Sequence, residues 1–358
     1  MSSPELYRFN EALMATIRDV AHLASVSVAT VSNVLNNPAK VSPELLARVR
    51  AAVDKLGYAP DAAARSLRKR SSGLLGLIVA DITNPFFAEL FEAIELAAAA
   101  RGFSVILCNS NEITEREETH LRMLRSQRID GLILAPTGTA SMNRAALLAA
   151  LEMPVVLVDR AMEGLGYDAV VLNNHRAAYE ATSYAIGCGH RRIALINGPK
   201  TVRTAADRLQ GYREALLAAG LALDPALVKD AGFREQSAYE AALQLLRSDE
   251  RPTAIFTTNN LMTIGVLRAT AELGLNCPDD ISIIGIDDLS WAEAVAPRLT
   301  MVAQPVRAMG ETALDLLAQR IAGTRLGSGT TTVMEPRLMV RNSCAAPASA
   351  PNAEAADV

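Results

Sequence analysis

The sequence predicts a small all-α, helix-turn-helix head that is joined by a hinge helix to an α/β core of two doubly wound parallel-sheet subdomains. Between residues 16 and 58 the apolar positions recur with the spacing of short helices. From residue 74 onward, short β-rich apolar runs alternate with amphipathic helical segments. Repeated βα units favour parallel strands with right-handed crossovers, and a chain of 358 residues is long enough for two such sheets.

Three helices are expected in the head because each has a recognisable start. The tetrapeptide TIRD at 16–19 is a capping box, and Ser27 can cap the second helix. Ser42, which is followed by proline, opens the third helix. Gly57 is placed to end that helix in the left-handed conformation. The apolar faces of the three helices predict a small bundle.

The segments outside the bundle complete the predicted domain organisation. A short helix in DAAARSLRKR, which follows Pro60, is too short to be stable alone. The expected divisions are a disordered extension at 1–13 with Met14 as an alternative start, a helix-turn-helix domain at 14–60, a hinge helix and linker at 61–72, a core at 73–343, and a disordered, low-complexity tail at 344–358. Within the core, an N-subdomain is expected at about 73–173 and 304–333, and a C-subdomain at about 174–303 and 334–343.

Charge is unevenly distributed along the chain. The net charge is −4, yet residues 14–70 carry nine basic against four acidic side chains, a local +5. Residues 1–13 contribute −1 and the remainder of the chain −8. A basic head on an acidic body indicates that the head alone meets phosphate. The alternative is a three-helix bundle that serves protein contacts, which would not explain both this charge and the basic cluster at 65–70.

Enzymatic motifs are missing from the sequence. No GxGxxG follows a strand, and the P-loop, HExxH and GxSxG patterns do not occur. The four His residues share no ligand spacing, so no metal or other cofactor is expected. Four scattered Cys without a CxxC pair are typical of a reducing compartment. With no signal-peptide core and no apolar run of membrane length, the sequence predicts a cytoplasmic protein that is not an enzyme.

Polar side chains stand at the ends of several predicted strands, with aromatic residues on the loops beside them. Ligands of parallel α/β sheets collect beyond the carboxyl ends of the strands. Carboxylates, amides, an arginine and aromatic faces suit a polyhydroxylated ligand such as a sugar. The alternative is that these polar residues merely cap helices and turns. The residues concerned are Asn84, Asp159, Arg160, Asn259, Asn260, Asp287 and Asp288, with Phe86, Phe87 and Trp291 beside them.

Several motifs together resemble those of the lactose-repressor family of bacterial transcription regulators. In the head and hinge they are TIRDVAHLASVSVATVSNVLN and GYAPDAAARSLR. In the core they are LLGLIVADITNPFFAEL, RIDGLIL, GHRRIALINGP, ERPTAIFTTNN and ISIIGIDDLSWAEAVAPRLTMVAQP. The resemblance covers about 14–343. It implies a homodimer whose heads each place the second helix in a major groove of a near-palindromic DNA operator, and a small-molecule effector bound between the core subdomains.

The resemblance also implies which residues meet DNA. The base-contacting positions fall on Val28, Ala29, Asn33, Leu67 and Arg68. The phosphate-contacting positions fall on Thr16, Arg18, Thr30, Ser32, Lys40 and Arg65. The second helix carries no charge, and the affinity need not come from it, because phosphate contacts elsewhere in the head and hinge can supply affinity without regard to sequence. Methyl groups of the second helix can meet thymine, Asn33 can pair with adenine, and Leu67 can wedge into a deformable step in the minor groove.

Effector-binding positions carried over from the resemblance are Phe86, Phe87, Arg160, Arg208, Phe233, Asn259, Asp287 and Trp291. Many relatives have Asn-Asp where this chain has Asn259-Asn260, so one negative charge is missing here. Together with Arg160, that departure leaves an acidic or phosphorylated sugar as a hypothesis.

The resulting prediction is a cytoplasmic, nucleoid-associated, dimeric repressor of carbohydrate-utilisation genes that responds to a sugar-like effector. The tail has no leucine heptad, which favours a dimer over a tetramer. Two alternatives stay open. One is a purine-type corepressed regulator, since Phe86 and Phe87 can stack on a purine as well. The other is a sugar-binding protein without DNA function, which the basic head disfavours.

Overall fold

The computed structural model describes residues 15–36, 38, 41–58, 71–138, 142–162 and 164–347. The chain divides into two compact units, Met1–Ser72 and Gly73–Val358. The first is the head and the second is the α/β core. The predicted extension at 1–13 and most of the predicted hinge helix at 61–72 lie outside the described residues, as do Lys40, Arg65, Leu67 and Arg68.

The head consists of the helices α1 (Ile17–Leu23), α2 (Val28–Asn36) and α3 (Pro43–Leu56). The predicted capping box is confirmed, since Thr16 and Asp19 each accept a hydrogen bond from the other's backbone N–H. Ser27 Oγ accepts from the N–H of Thr30 at 3.0 Å. Gly57 ends α3 with a φ of 58°, in the left-handed region that glycine favours. The three helices bury a common apolar cluster: Val20, Ala21, Ala24, Val31, Val34, Val49 and Ala52.

The first subdomain of the core is built around a six-stranded sheet in the order β11-β5-β4-β3-β1-β2. All its neighbouring strands are parallel. Its strands are β1 (Leu74–Val79), β2 (Ser104–Asn109), β3 (Gly131–Leu134), β4 (Val155–Val158), β5 (Asp168–Leu172) and β11 (Thr331–Met334). Its helices are α4 (Pro85–Ala99), α5 (Thr114–Ser126), α6 (Met142–Ala149) and α12 (Val306–Ile321).

The second subdomain is built around a six-stranded sheet in the order β12-β10-β9-β8-β6-β7, in which β12 alone is antiparallel to its neighbour. Its strands are β6 (Ile193–Asn197), β7 (Val228–Asp230), β8 (Ala254–Thr257), β9 (Ser282–Ile286), β10 (Thr300–Ala303) and β12 (Arg337–Met339). Its helices are α7 (Asn174–Gly187), α8 (Arg203–Ala218), α9 (Glu235–Leu246), α10 (Asn260–Glu272) and α11 (Ser290–Ala294).

The chain passes between the two sheets three times: after β5, after β10 and after β11. Helix α12 follows the second passage and packs its buried residues on the first sheet, where Met309, Leu314 and Leu317 share a cluster with Leu77. Three short connections leave the two subdomains free to turn about one side of the cleft between them. The predicted α-helical head and doubly wound core are thus confirmed.

Packing in the second subdomain extends into the segment that the sequence predicts to be a disordered tail. Cys344 is buried, and the N–H of Ala345 donates to Ser282 Oγ at 3.2 Å. Ser343 Oγ accepts from the N–H of Thr300. The predicted boundary at 344 therefore falls inside the packed core, because this part of the chain pairs with the start of β9.

Candidate functional site

A cavity lies between the two subdomains, at the carboxyl ends of their strands. It encloses about 30 Å³ of free space, which is room for about one water molecule. Seven of the eight predicted effector residues line it. The lining residues are Asp81, Asn84, Phe86, Phe87, Glu112, Asp159, Arg160, Thr204, Arg208, Phe233, Asn259, Leu261, Asp287 and Gln304. Strand ends from both sheets meet at this point, as expected of doubly wound folds.

Two phenylalanines form an aromatic corner on the first-subdomain side. Asn84 accepts a hydrogen bond from the N–H of Phe86 at 2.9 Å and so caps α4. The rings of Phe86 and Phe87 are 5.0 Å apart between centroids and inclined at 75°. This edge-to-face arrangement is the favourable one for aromatic pairs. Asn84 therefore has both roles that the sequence left open: it caps a helix and it lines the cavity.

Phe233 provides the aromatic surface of the second subdomain. Its backbone has a φ of 60°, an unusual conformation for a bulky residue. The close packing explains why residue 198 is glycine, because a Cβ there would lie 2.1 Å from the Phe233 ring. The guanidinium of Arg160 stands 5.6 Å from the ring centroid. Aromatic side chains thus face the cavity from both subdomains.

Asp159 and Asp287 occupy equivalent places, each directly after a central strand of its own sheet. Both have positive φ angles, 67° and 79°, and strained backbone of this kind clusters at binding sites. Burial raises the pKa of Asp159, although Arg160 and Arg208 oppose that shift. Asp287 accepts hydrogen bonds from Gln304 at 2.6 Å and from the amide of Asn260 at 3.2 Å. The two carboxylates therefore present acceptors from opposite walls.

Arg208 is held in the cavity by the second subdomain. Its Nε donates to Asn174 at 2.8 Å, and one terminal nitrogen donates to the carbonyl of Thr258. Burial lowers its pKa, against the attraction of Asp287 and Asp159. The helix that carries it packs closely on α7 at Gly211, where a Cβ would lie 2.1 Å from the carbonyl oxygen of His175. Gly211 thus lets this helix pack close to α7 and so helps to set the position of Arg208.

Arg160 is neutralised within the protein. It donates two hydrogen bonds to Glu112, at 2.8 and 2.6 Å, and one to the carbonyl of Pro136 at 3.0 Å. Burial alone would lower its pKa, but Glu112 outweighs burial and the pKa is raised. The missing carboxylate at Asn260 is replaced by amide hydrogen bonds to Asn84 and Asp287. Arg160 is therefore paired within the protein and is not an unmatched cation for an acidic or phosphorylated sugar.

Trp291 is the one predicted effector residue that does not line the cavity. It packs with Leu299 and Met301 in a small apolar cluster. The expectation that it forms a wall of the cavity is corrected, because its ring packs in this cluster instead. Asp81, Glu112, Thr204, Leu261 and Gln304 are lining residues that the sequence analysis did not select. Asp81 follows β1 and Gln304 follows β10, so both stand at strand ends, where ligands of parallel sheets collect. That position was the sequence signal for them.

A larger groove adjoins the cavity through Asp159, Arg160 and Thr204. It has a volume of about 600 Å³ and runs along the passage between the subdomains. Its floor includes apolar side chains such as Met162 and Val171, and Lys200 lies at its rim. The cavity thus continues into open space on this side.

In the head, α2 turns its predicted base-contacting residues to solvent. Val28, Ala29 and Asn33 are exposed, while Val31 and Val34 are buried against the other helices. Arg18 is exposed at the start of α1. Thr30 and Ser32 are half-buried beside the exposed face. The exposed face is therefore the surface that a partner of the head would meet.

Family models match both units of the chain. The model described as bacterial regulatory proteins, lacI family, matches residues 16–61, and that of the periplasmic binding protein-like domain matches 182–344. The ribose operon repressor of Escherichia coli is 39% identical over 308 residues, covering 86% of this chain and 93% of the relative. The repressor PurR of Vibrio atlanticus is 37% identical, covering 86% of this chain and 92% of the relative.

The chain belongs to the LacI family. The predicted membership is confirmed, and the protein is a DNA-binding transcriptional repressor regulated by a small-molecule effector. Among solved structures, the Lac repressor dimer bound to operator and the anti-inducer ONPF has a TM-score of 0.82 and 27% identity, covering 93% of this chain and 99% of that one. A LacI family regulator from Enterococcus faecium with bound ribose has a TM-score of 0.68 and 29% identity, covering 76% and 99%.

A complex of the transcriptional regulator CelR with cellobiose is similar as well. It has a TM-score of 0.70 and 33% identity, covering 92% of this chain and 99% of that one. Within the described part of the chain, no helix is both long and apolar enough to cross a membrane. The same residues contain no group of three or more His, Cys, Asp or Glu side chains placed to hold a metal ion.

Proposed function

We propose that the effector of this LacI family repressor is a neutral aldopentose such as ribose. The observation that carries the proposal is the composition of the cavity: four carboxylates, two guanidinium groups and three amides converge between aromatic surfaces. Each sugar hydroxyl both donates and accepts a hydrogen bond, and this set offers both partners. The rings of Phe86 and Phe233 supply apolar surface for the C–H faces of a sugar.

The charges of the cavity favour a neutral ligand. Glu112 matches Arg160, and Arg208 lies between Asp159 and Asp287. An added carboxylate or phosphate would find no unmatched cation among these groups, and burying it would be costly. The ligand groups expected here are hydroxyls.

The volume of the cavity in this conformation, about 30 Å³, is less than any sugar needs, so the subdomains must separate to admit one. A monosaccharide requires a smaller separation than a disaccharide. Ribose is also named in the descriptions of two similar proteins, which are the ribose operon repressor of E. coli and the ribose-bound regulator from E. faecium.

A purine corepressor is the second candidate. The similarity to PurR and the 600 Å³ groove beside the cavity favour it, because a planar base could stack on Phe86 and extend into that groove. The numerous carboxylate and amide groups on both walls favour the sugar over a base, whose two faces are apolar.

The DNA-binding proposal follows the family. The chain acts as a homodimer on a near-palindromic operator in the cytoplasm, where the chromosome lies, and has no enzymatic activity. Val28, Ala29 and Asn33 read bases from α2, Leu67 and Arg68 act in the minor groove, and the phosphate contacts come from the six positions assigned above. In this proposal ribose acts as an inducer: it binds the DNA-free shape of the repressor more tightly. By linkage, it then weakens operator binding by the same factor.

Isothermal titration calorimetry of the purified protein tests the effector. The panel is ribose, glucose, ribonate and hypoxanthine. Tight binding of ribose alone supports the proposal. Binding of hypoxanthine without ribose replaces it with the purine candidate, and binding of ribonate in preference to ribose contradicts the argument from charge.

A further inference from the structure

An ion pair crosses the mouth of the cavity from one subdomain to the other. Arg234, between β7 and α9 of the second subdomain, donates to Asp81 Oδ2 at 2.8 Å and to the carbonyl of Asn111 at 2.9 Å. Asp81 follows β1 and Asn111 follows β2, both in the first subdomain. One side chain thus joins two loops of the opposite wall.

Both ends of this bridge are fixed by their own loops. Asp81 Oδ1 accepts from the N–H and the hydroxyl of Thr83, at 3.1 and 2.7 Å, which leaves Oδ2 for Arg234. The N–H of Arg234 donates to the carbonyl of Ala231 at 2.9 Å. Arg234 directly follows Phe233, whose ring lines the cavity. The bridge is therefore tied to the residues that would surround the effector.

The two ends differ in exposure. The Asp81 side chain is 7% exposed and lines the cavity, whereas that of Arg234 is 39% exposed and faces solvent. Opening the cleft would separate a nearly buried carboxylate from its cation. The bridge therefore resists opening of the cleft.

We propose that Arg234 is a strap that closes over the effector, slows its release and excludes ligands with a substituent directed at the strap. This inference rests on the proposed function of the cavity as the effector site. Deeper in the cleft, the amide of Asn260 donates to Asn84 at 2.6 Å and also joins the subdomains. That contact lies among the lining residues, so Arg234 is the better position at which to alter closure without altering the ligand's own partners.

The test compares wild type with Arg234→Ala and with Arg247→Ala as the matched control. Arg247 pairs with Glu272 at 3.1 Å, entirely within the second subdomain and with a more exposed side chain than that of Arg234. Stopped-flow dissociation of ribose is expected to be about tenfold faster in Arg234→Ala and unchanged in Arg247→Ala, because loss of one partner of a shielded charge pair acts mainly on the release rate. In a panel of O-methyl ribosides, Arg234→Ala is expected to bind at least one that the wild type rejects.

Release of ribose at the wild-type rate, with unchanged rejection of every methyl riboside, would overturn the strap while leaving the pentose proposal intact. If wild type binds a purine and no pentose, the proposed function fails, and purine release tests the strap instead. Hydrogen exchange without any ligand supplies a readout independent of effector identity. Faster exchange at 84–87 and 259–263 in Arg234→Ala alone supports the strap, and equal exchange in all three proteins contradicts it.

Discussion

Glu112 and Arg160 face each other across the floor of the cavity and share two hydrogen bonds, at 2.8 and 2.6 Å. Glu112 lies in the loop after β2 and has a φ of 58°, so the loop conformation aims its carboxylate at the end of β4. The pair converts a cationic position into a neutral one. This relationship, and not the count of charges in the sequence, decides which ligands the cavity favours.

Substitution of Glu112 by alanine is therefore expected to change the preferred ligand. The buried Arg160 charge would lose its partner, so affinity for ribose should fall about tenfold or more and affinity for ribonate should rise. Calorimetry with both ligands measures the change. Glu115→Ala, which removes an exposed carboxylate on the same subdomain, is the control. Unchanged selectivity in Glu112→Ala would show that Arg160 does not contact the ligand.

Loss of Arg208 should uncouple the repressor from its effector. Arg208→Ala leaves Asp159 and Asp287 without their shared cation, and ribose affinity should fall about 100-fold or more. Operator affinity should stay near that of wild type, which gives a repressor that ribose does not release. Arg213→Ala, at an exposed position of the same helix, serves as the control. If Arg208→Ala releases operator at the same ribose concentration as wild type, Arg208 is not an effector-binding residue.

Gly211 should tolerate no side chain. A Cβ there would lie 2.1 Å from the carbonyl oxygen of His175, so α7 and α8 would have to move apart. We expect Gly211→Ala to lower the free energy of unfolding by about 1–3 kcal/mol. Gly187→Ala, where nothing lies within 4 Å of the added carbon, is the matched control and should not destabilise the protein. Thermal denaturation measures both.

Stability should depend on pH through Asp168. Its side chain is buried, and burial would raise its pKa, but hydrogen bonds from Arg325 and Arg320 outweigh burial and hold the pKa well below the ordinary value. A lowered pKa in the folded state stabilises the fold above the unfolded-state pKa of about 4, and this contribution is lost as pH falls further.

The corresponding test is Asp168→Asn. We expect it to cost about 1–3 kcal/mol at pH 7, and the difference from wild type should shrink below about pH 4. Urea unfolding at several pH values measures the difference. A difference that is constant from pH 7 to pH 3 would contradict the account.

Two substitutions in the head should distinguish residues that read bases from residues that contact phosphate. Asn33→Ala should weaken discrimination at one base pair by about 1–3 kcal/mol and leave the salt dependence of binding unchanged. Arg18→Ala should weaken binding to all sequences and lower the slope of log affinity against log salt by about 1. Fluorescence anisotropy at several salt concentrations measures both. A reduced slope in Asn33→Ala would contradict its assignment as a base-reading residue.

Much of the cavity could be predicted from the sequence because strand ends are local features. Asn84, Asp159, Asn259 and Asp287 each follow a recognisable apolar run, and parallel sheets bring such ends together. The helix caps of the head were equally predictable, since Thr16, Ser27 and Ser42 bond to residues only three positions away.

Contacts between distant segments could not be predicted in this way. Glu112 meets Arg160 across 48 residues, and Arg234 meets Asp81 across 153. Sequence spacing carries no information on such pairs, so Arg160 was assigned a free charge that it does not have. The packing of Trp291 against Leu299 and Met301 is likewise a contact that its position after a strand does not reveal.

If a neutral pentose in the cavity controls the binding of DNA by the head, ribose should weaken operator binding and hypoxanthine should not. Operator titrations of the full-length protein with ribose, with hypoxanthine and without either measure this dependence. Operator binding that is indifferent to ribose and strengthened by hypoxanthine would show that a pentose is not the effector.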